Sequence, residues 1–150
     1  MAHVVLKSTG NRREFFVIDQ AVGAGLPNVP QDVLLVQFFL RIASETASGL
    51  AGFNPPGESP LAIDGSFGQQ TKTYISFYQK EVNRRLGKKL LEPDGRIDPI
   101  RPGQSFGSTH TFYTILDLNV AYRSRRGDSA KIEADQLFPR ALLPFFFILT

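Results

Sequence analysis

Residues 61–79, LAIDGSFGQQTKTYISFYQ, join a short apolar run, an Asp-Gly turn and a helical pattern end to end. The Asp64 side chain can accept bonds from nearby backbone N–H groups, and Gly65 enters positive φ without steric cost. Phe67 then turns inward. From Gly68 onward Tyr74, Ile75, Tyr78, Val82 and Leu86 recur at intervals of three or four, the period of a helix face. The stretch therefore predicts a strand-turn-helix corner. Residues 93–102, PDGRIDPIRP, repeat its turn: Asp94-Gly95-Arg96-Ile97-Asp98 echoes Asp64-Gly65-Ser66-Phe67-Gly68 at a distance of 30 positions. Two such corners favour helices joined by tight turns.

Helices fall on either side of the corners. Residues 32–43, DVLLVQFFLRIA, are entered through Pro30, carry Asp32 near the positive end of the dipole, and are interrupted only by Gln37 and Arg41. A helix so nearly apolar all round predicts the centre of the core. The second helix is expected from Gln69 or Thr71 to Leu86, stopped by Gly87, with Lys80, Arg84 and Arg85 on a solvated face and Glu81 spaced to pair with Arg85. A third is expected to start at Ser108, Thr109 or Thr111 and run to Arg123, with Phe112, Ile115, Leu116 and Val120 inward. Asn119, beside that face, is expected to bond to backbone and so to fix a loop rather than bind a ligand.

The ends read differently. Val4-Val5-Leu6 and residues 15–18, FFVI, flank a polar Gly-containing segment and predict a small β-hairpin. Gly23-Ala24-Gly25 lacks the third glycine of a dinucleotide fingerprint and reads as a loop. Residues 44–60 read as a Gly- and Pro-rich loop. Residues 129–138 predict a short fourth helix carrying Ile132 and Leu137, ended by Pro139. The tail ALLPFFFIL, residues 141–149, is about half the ~20 residues of a membrane span and must pack beside the hairpin or on another subunit.

At 150 residues one core is the economical expectation. The chain has no cysteine and only His3 and His110, which disfavours a metal site and removes thiol chemistry, and no cofactor is expected. A net charge of +3 without a concentrated basic stripe argues against nucleic acid as partner. The N-terminus carries no secretory pattern and no transmembrane segment is legible, so synthesis is expected in the cytoplasm.

Asp32-Val33 with Val36-Gln37 and Leu40, the corner 61–68 with Thr71 and residues 77–79, and the corner 93–99 with Leu116 and Asn119 together resemble the peptidoglycan-binding-like domain family. The resemblance covers roughly residues 28–122 and rests on the DGxFGxxT corner between two helices, followed by a second Asp-Gly corner and a third helix. It departs from the family at Asp98, where glycine is common, at residues 75–79, and in an insertion after Pro102. The resemblance implies a mainly α fold with a compact three-helix domain over 28–123; on the residues' own reading the hairpin and linker 1–27 pack on it and residues 124–150 form a C-terminal extension with a short helix and an apolar tail. It also implies peptidoglycan as partner, since members commonly accompany cell-wall hydrolases. Without an export signal, such a protein is expected to reach the wall by signal-independent export, by lysis or within a phage-like particle.

Two patterns resemble catalytic groups but lack the context that the chemistry needs. Gly103-Gln104-Ser105-Phe106-Gly107 matches a nucleophile-elbow pattern, but Pro102 precedes it where a strand is needed and His110 comes before every later carboxylate. Asp64 with Asp94, or Glu92 with Asp98, could imitate a glycosidase pair, yet an Asp before Gly is consumed by its own turn. The expectation is a non-enzymatic binding module whose ligand meets Ser66, Gln69, Tyr74, Tyr78, Arg96 and Arg101, through aromatic faces for sugar rings and polar groups for hydroxyls and carboxylates. The alternative is a structural subunit of a homo-oligomer, phage-like particle or secretion apparatus, associating through Phe145, Phe146 and Phe147.

Overall fold

The computed structural model describes residues 3–7, 13–47, 49–100, 112–127 and 131–145. Strands β1 (His3–Lys7) and β2 (Arg13–Val17) pair antiparallel, with His3 opposite Val17 and Lys7 opposite Arg13. Helices α1 (Pro30–Ala43), α2 (Gln69–Leu86) and α3 (Thr114–Arg126) follow, then 3-10 turns at Ile132–Ala134 and Arg140–Phe145. The architecture is mainly helical.

Helix α1 is the centre, as its composition requires. Val33, Leu35, Val36, Phe38, Phe39, Leu40, Ile42 and Ala43 are all buried, and α1 packs on α2, on α3 and on the second 3-10 turn. Phe38 is the hub. Its ring lies 5.7 Å from Phe39, 6.0 Å from Tyr122 of α3 and 5.4 Å edge-on from Phe138. One core thus joins the hairpin (Phe16, Ile18), the three helices and the C-terminal segment (Ile132, Phe138, Leu142).

Asp32 ties the hairpin's exit to α1. Fully buried, its carboxylate accepts the backbone N–H groups of Asp19 (3.2 Å) and Gln20 (3.1 Å). Asn119 does the same from α3. Its Oδ1 accepts the Phe16 N–H at 2.8 Å, and its Nδ2 donates to the carbonyls of Phe16 (2.9 Å) and Ile115 (2.7 Å). The expected backbone role is met, on β2 rather than on a loop. Asn119→Ala removes the bonds that its amide makes to the Phe16 N–H and carbonyl and is expected to cost about 2 kcal/mol in a urea titration, with faster amide exchange at Phe16 as the local signature.

Residues 61–63 form no strand, because side chains satisfy their backbone instead of a strand partner. Arg41 Nη1 donates to the Leu61 carbonyl (2.9 Å) and Gln70 Oε1 accepts the Ala62 N–H (3.3 Å). Helix α3 begins at Thr114 because the Phe112 N–H is committed to the Leu90 carbonyl (2.7 Å) and Tyr113 stays extended; Ser108, Thr109 and Thr111 lie outside the described residues. It runs on to Arg126, where Gly127 ends it at φ 91°. Its inward face holds Ile115, Leu118, Asn119 and Tyr122, so Val120 points out at 52% exposure. Leu86 is likewise exposed, lying in the last turn of α2. Of the expected helix over 129–138, the described part from residue 131 holds a single 3-10 turn, since Asp135 leaves helical geometry (ψ 137°) and its Oδ1 accepts the Leu137 N–H at 2.9 Å.

The C-terminal segment packs on its own chain as far as described. Leu142 is buried, and Arg126 clamps the segment by contacting Asp135 at 2.6 Å and Glu45 at 2.6 Å. The side chain of Phe145 and residues Phe146 and Phe147 lie outside the described residues. Among the described residues, no helix is long and apolar enough to cross a membrane.

Candidate functional site

Each corner is built around a buried glutamine. In the first, Gln37 of α1 accepts the Asp64 and Gly65 N–H groups on Oε1 (3.0 and 2.9 Å). Its Nε2 donates to Asp64 Oδ1 (3.1 Å), the Ser66 carbonyl (3.0 Å) and Thr71 Oγ1 (3.0 Å). In the second, Gln79 of α2 accepts the Gly95 N–H (2.9 Å) and donates to Asp94 Oδ1 (3.5 Å), the Arg96 carbonyl (2.9 Å) and Thr114 Oγ1 (3.1 Å). The correspondence runs residue by residue. Gln37 matches Gln79, Asp64 matches Asp94, Ser66 matches Arg96, and the threonine in the first turn of the next helix is Thr71 or Thr114.

The turns supply the rest of the geometry. Gly65 and Gly95 adopt φ 78° and 73°, the left-handed region that a side chain disfavours. Asp64 and Asp94 close the same turn by accepting the N–H two residues on, at 2.9 and 3.0 Å. Those bonds, from Ser66 first and then Gln37, hold the Asp64 carboxyl below the usual range. It is therefore ionised at neutral pH. The second corner is also tied to the N-terminal linker, where Val22 and Ile97 exchange backbone bonds of 3.0 and 2.8 Å. Gly23 makes this approach possible, since a Cβ there would press on Arg96 Cα at 3.2 Å and Cβ at 3.0 Å.

Of the residues expected to meet a ligand, Ser66, Gln69 and Arg96 are exposed on or beside the corners. Arg96 is paired with Asp98 at 2.7 Å, and Gln69 reaches Thr73 at 3.5 Å. Tyr74 and Tyr78 are corrected to core residues, each 1% exposed, because the helix stripe that carries them faces α1 and the 44–60 loop. Tyr74 donates to the Ser59 carbonyl at 2.6 Å, so neither ring offers a face to a sugar. Arg101, His110 and the GxSxG stretch lie outside the described residues. The remaining carboxylate considered, Glu92, pairs with Lys89 at 3.1 Å. Among the described residues, no group of three or more His, Cys, Asp or Glu could hold a metal ion.

Tyr78 anchors a second polar cluster. Its hydroxyl donates to Asp117 Oδ2 at 2.5 Å, and its ring lies 4.6 Å from Phe53. The Arg85 and Arg125 guanidinium groups sit 4.1 and 5.7 Å from the Phe53 ring centroid. Burial raises the Asp117 carboxyl above its ordinary value, and the Tyr78 bond offsets this in part. With the folded value raised, the native state holds the extra proton, so stability falls as pH rises from the unfolded carboxylate value through the folded one. Asp117→Asn keeps an acceptor for Tyr78 and removes the charge. Thermal midpoints measured from pH 4 to 7 are expected to lose that decline, leaving the variant at least as stable as the parent at pH 7.

Comparison of the chain with protein families, with curated proteins and with solved structures finds no match. The two glutamine locks were not foreseen from the sequence. The available signal was a glutamine interrupting an apolar helix face one helix before each Asp-Gly turn.

Proposed function

We propose that this chain is a non-catalytic peptidoglycan-binding module. The observation that supports this reading is the doubled lock of glutamine, Asp-Gly corner and threonine, which occurs in the order of helices and corners that the family resemblance implies. Two like corners present exposed polar groups, Ser66 on one and Arg96 on the other, with Gln69 at the start of α2. A hydroxyl, an amide and a guanidinium answer the hydroxyls and carboxylates of a glycan with stem peptides. The reading assigns no bond-breaking role to Asp64 or Asp94, whose oxygens serve the turns.

Co-sedimentation with purified sacculi tests it. The protein is expected in the pellet only when sacculi are present, and a combined Ser66, Gln69 and Arg96 alanine variant is expected to stay in solution with its fold intact. Equal amounts in pellets with and without sacculi reject the reading.

A structural subunit is the second reading, favoured by the exposed apolar side chains of Val120 (52%) and Leu143 (45%). Its test is mass in solution. A truncation after Leu142 preserves the buried leucine, and a monomer of unchanged hydrodynamic behaviour on removal of 143–150 excludes association through the tail.

A further inference from the structure

A cleft of about 620 Å³ opens where the ends of α1 and α3 meet the C-terminal segment, and uses no residue of either corner. Arg41, Glu45, Arg126, Asp135, Gln136 and Leu137 form most of its wall. Its charges are unevenly engaged. Arg126 donates to both oxygens of Glu45 (2.6 and 2.7 Å) and to Asp135 Oδ2 (2.6 Å), while Asp135 Oδ1 takes the Leu137 N–H (2.9 Å). Every carboxylate oxygen of the cleft therefore has a donor. Arg41 is different. Its Nη1 is fixed on the Leu61 carbonyl at 2.9 Å, and among the described residues its Nε and Nη2 have no hydrogen-bond partner.

We propose that this cleft binds the free carboxylate of a small peptide-like ligand, with Arg41 as its recognition residue. A guanidinium held by one nitrogen is pre-oriented, and its remaining N–H groups match a pair of carboxylate oxygens. The cleft's two arginines and two carboxylates cancel, so a monoanion meets one open cation, whereas a dianionic phosphate also faces Glu45 and Asp135 without further compensation. Leu137 gives the ligand's side chain an apolar wall, and Gln136 offers an amide. The volume lies within the range of small-ligand clefts, roughly 300–1,000 Å³.

The test is a titration of the isotope-labelled chain with N-acetylleucine, N-acetylleucinamide and inorganic phosphate, read at the backbone amides of Ala134, Gln136 and Leu137. Saturable shifts are expected with N-acetylleucine, and affinity is expected to be about tenfold weaker or worse for the amide and for phosphate, the loss of one charge-assisted contact. Arg41→Gln is expected to abolish the shifts and Arg41→Lys to restore them in part. Because Arg41 also holds Leu61, Ala134→Glu serves as a second variant. Ala134 is exposed in the cleft wall, so the new charge repels the ligand without disturbing the core, and about tenfold weakening is expected. Absence of saturation, equal response to acid and amide, or full binding by Ala134→Glu overturns the proposal. Since sacculus retention is tested at the corners, failure of either assay leaves the other's outcome distinct.

Discussion

Gln79→Leu is expected to lower the unfolding free energy by about 3 kcal/mol, and Gln37→Leu by a similar amount. Leucine fills the glutamine's place with an apolar side chain of broadly similar size, so the loss chiefly reports the hydrogen bonds. In Gln79→Leu the Gly95 N–H, the Arg96 carbonyl and Thr114 Oγ1 all lose their partner, and Gly95 and Thr114 are buried. In Gln37→Leu two N–H groups, one carbonyl, Asp64 and Thr71 are released, but that corner is more open to water, which replaces some bonds. Urea titration of each variant checks this. The midpoint should fall with the slope unchanged, and amide exchange should quicken at residues 64–66 or 95–97. A loss below about 1 kcal/mol at both positions would mean that the turns hold themselves and the glutamines are incidental.

Phe38→Ala is expected to cost about 3–5 kcal/mol, the range for a phenylalanine removed from a closed core. The ring contacts Phe39, Tyr122 and Phe138, so its loss opens a cavity shared by α1, α3 and the C-terminal segment. Neighbours on three elements cannot all collapse into the space. A fall in thermal midpoint of roughly 8–15 °C follows for a chain of this size. Phe138→Ala should produce a smaller fall but earlier proteolysis after residue 131, because Phe138 and Leu142 anchor that segment to α1. If Phe38→Ala released the C-terminal segment alone, with helices α1–α3 melting at the parental temperature, the single-core account would fail.

The two best-read elements show what makes a sequence legible. Helix α1 carries its signals locally: Pro30 at its first position, Asp32 in the first turn and an apolar surface that only a central helix can bury. Helix α2 runs from Gln69 to Leu86 as expected, and Gly87 stops it at φ 69°. Each signal acts within a turn of the residue that bears it. Helix α3 starts at Thr114, where a bond from Phe112 to Leu90, distant in sequence, holds the chain just ahead of it. Val120 points outward because Asn119 takes the inward position, its amide satisfied by β2, a partner that helical spacing does not reveal. The candidate site is legible only in part. Asp64-Gly65 and Asp94-Gly95 announced turns, but Tyr74 and Tyr78 belonged to both an aromatic surface and a core stripe, and burial assigned them to the core.

By itself the sequence determined the Asp-Gly turns, the C-terminal ends of α1 and α2, the central place of α1 and the pairing of two hairpin strands. These follow from backbone preference and hydrophobic period, which act over a few residues. Tertiary structure alone decided that Gln37 and Gln79 hold the corners, that Arg126 clamps the C-terminal segment, and that Arg41 stands in the wall of a cleft with N–H groups to spare. Those roles depend on which polar groups meet once the chain has closed. A buried amide or guanidinium takes its function from the partners it finds there, and the partners lie on other elements of the fold.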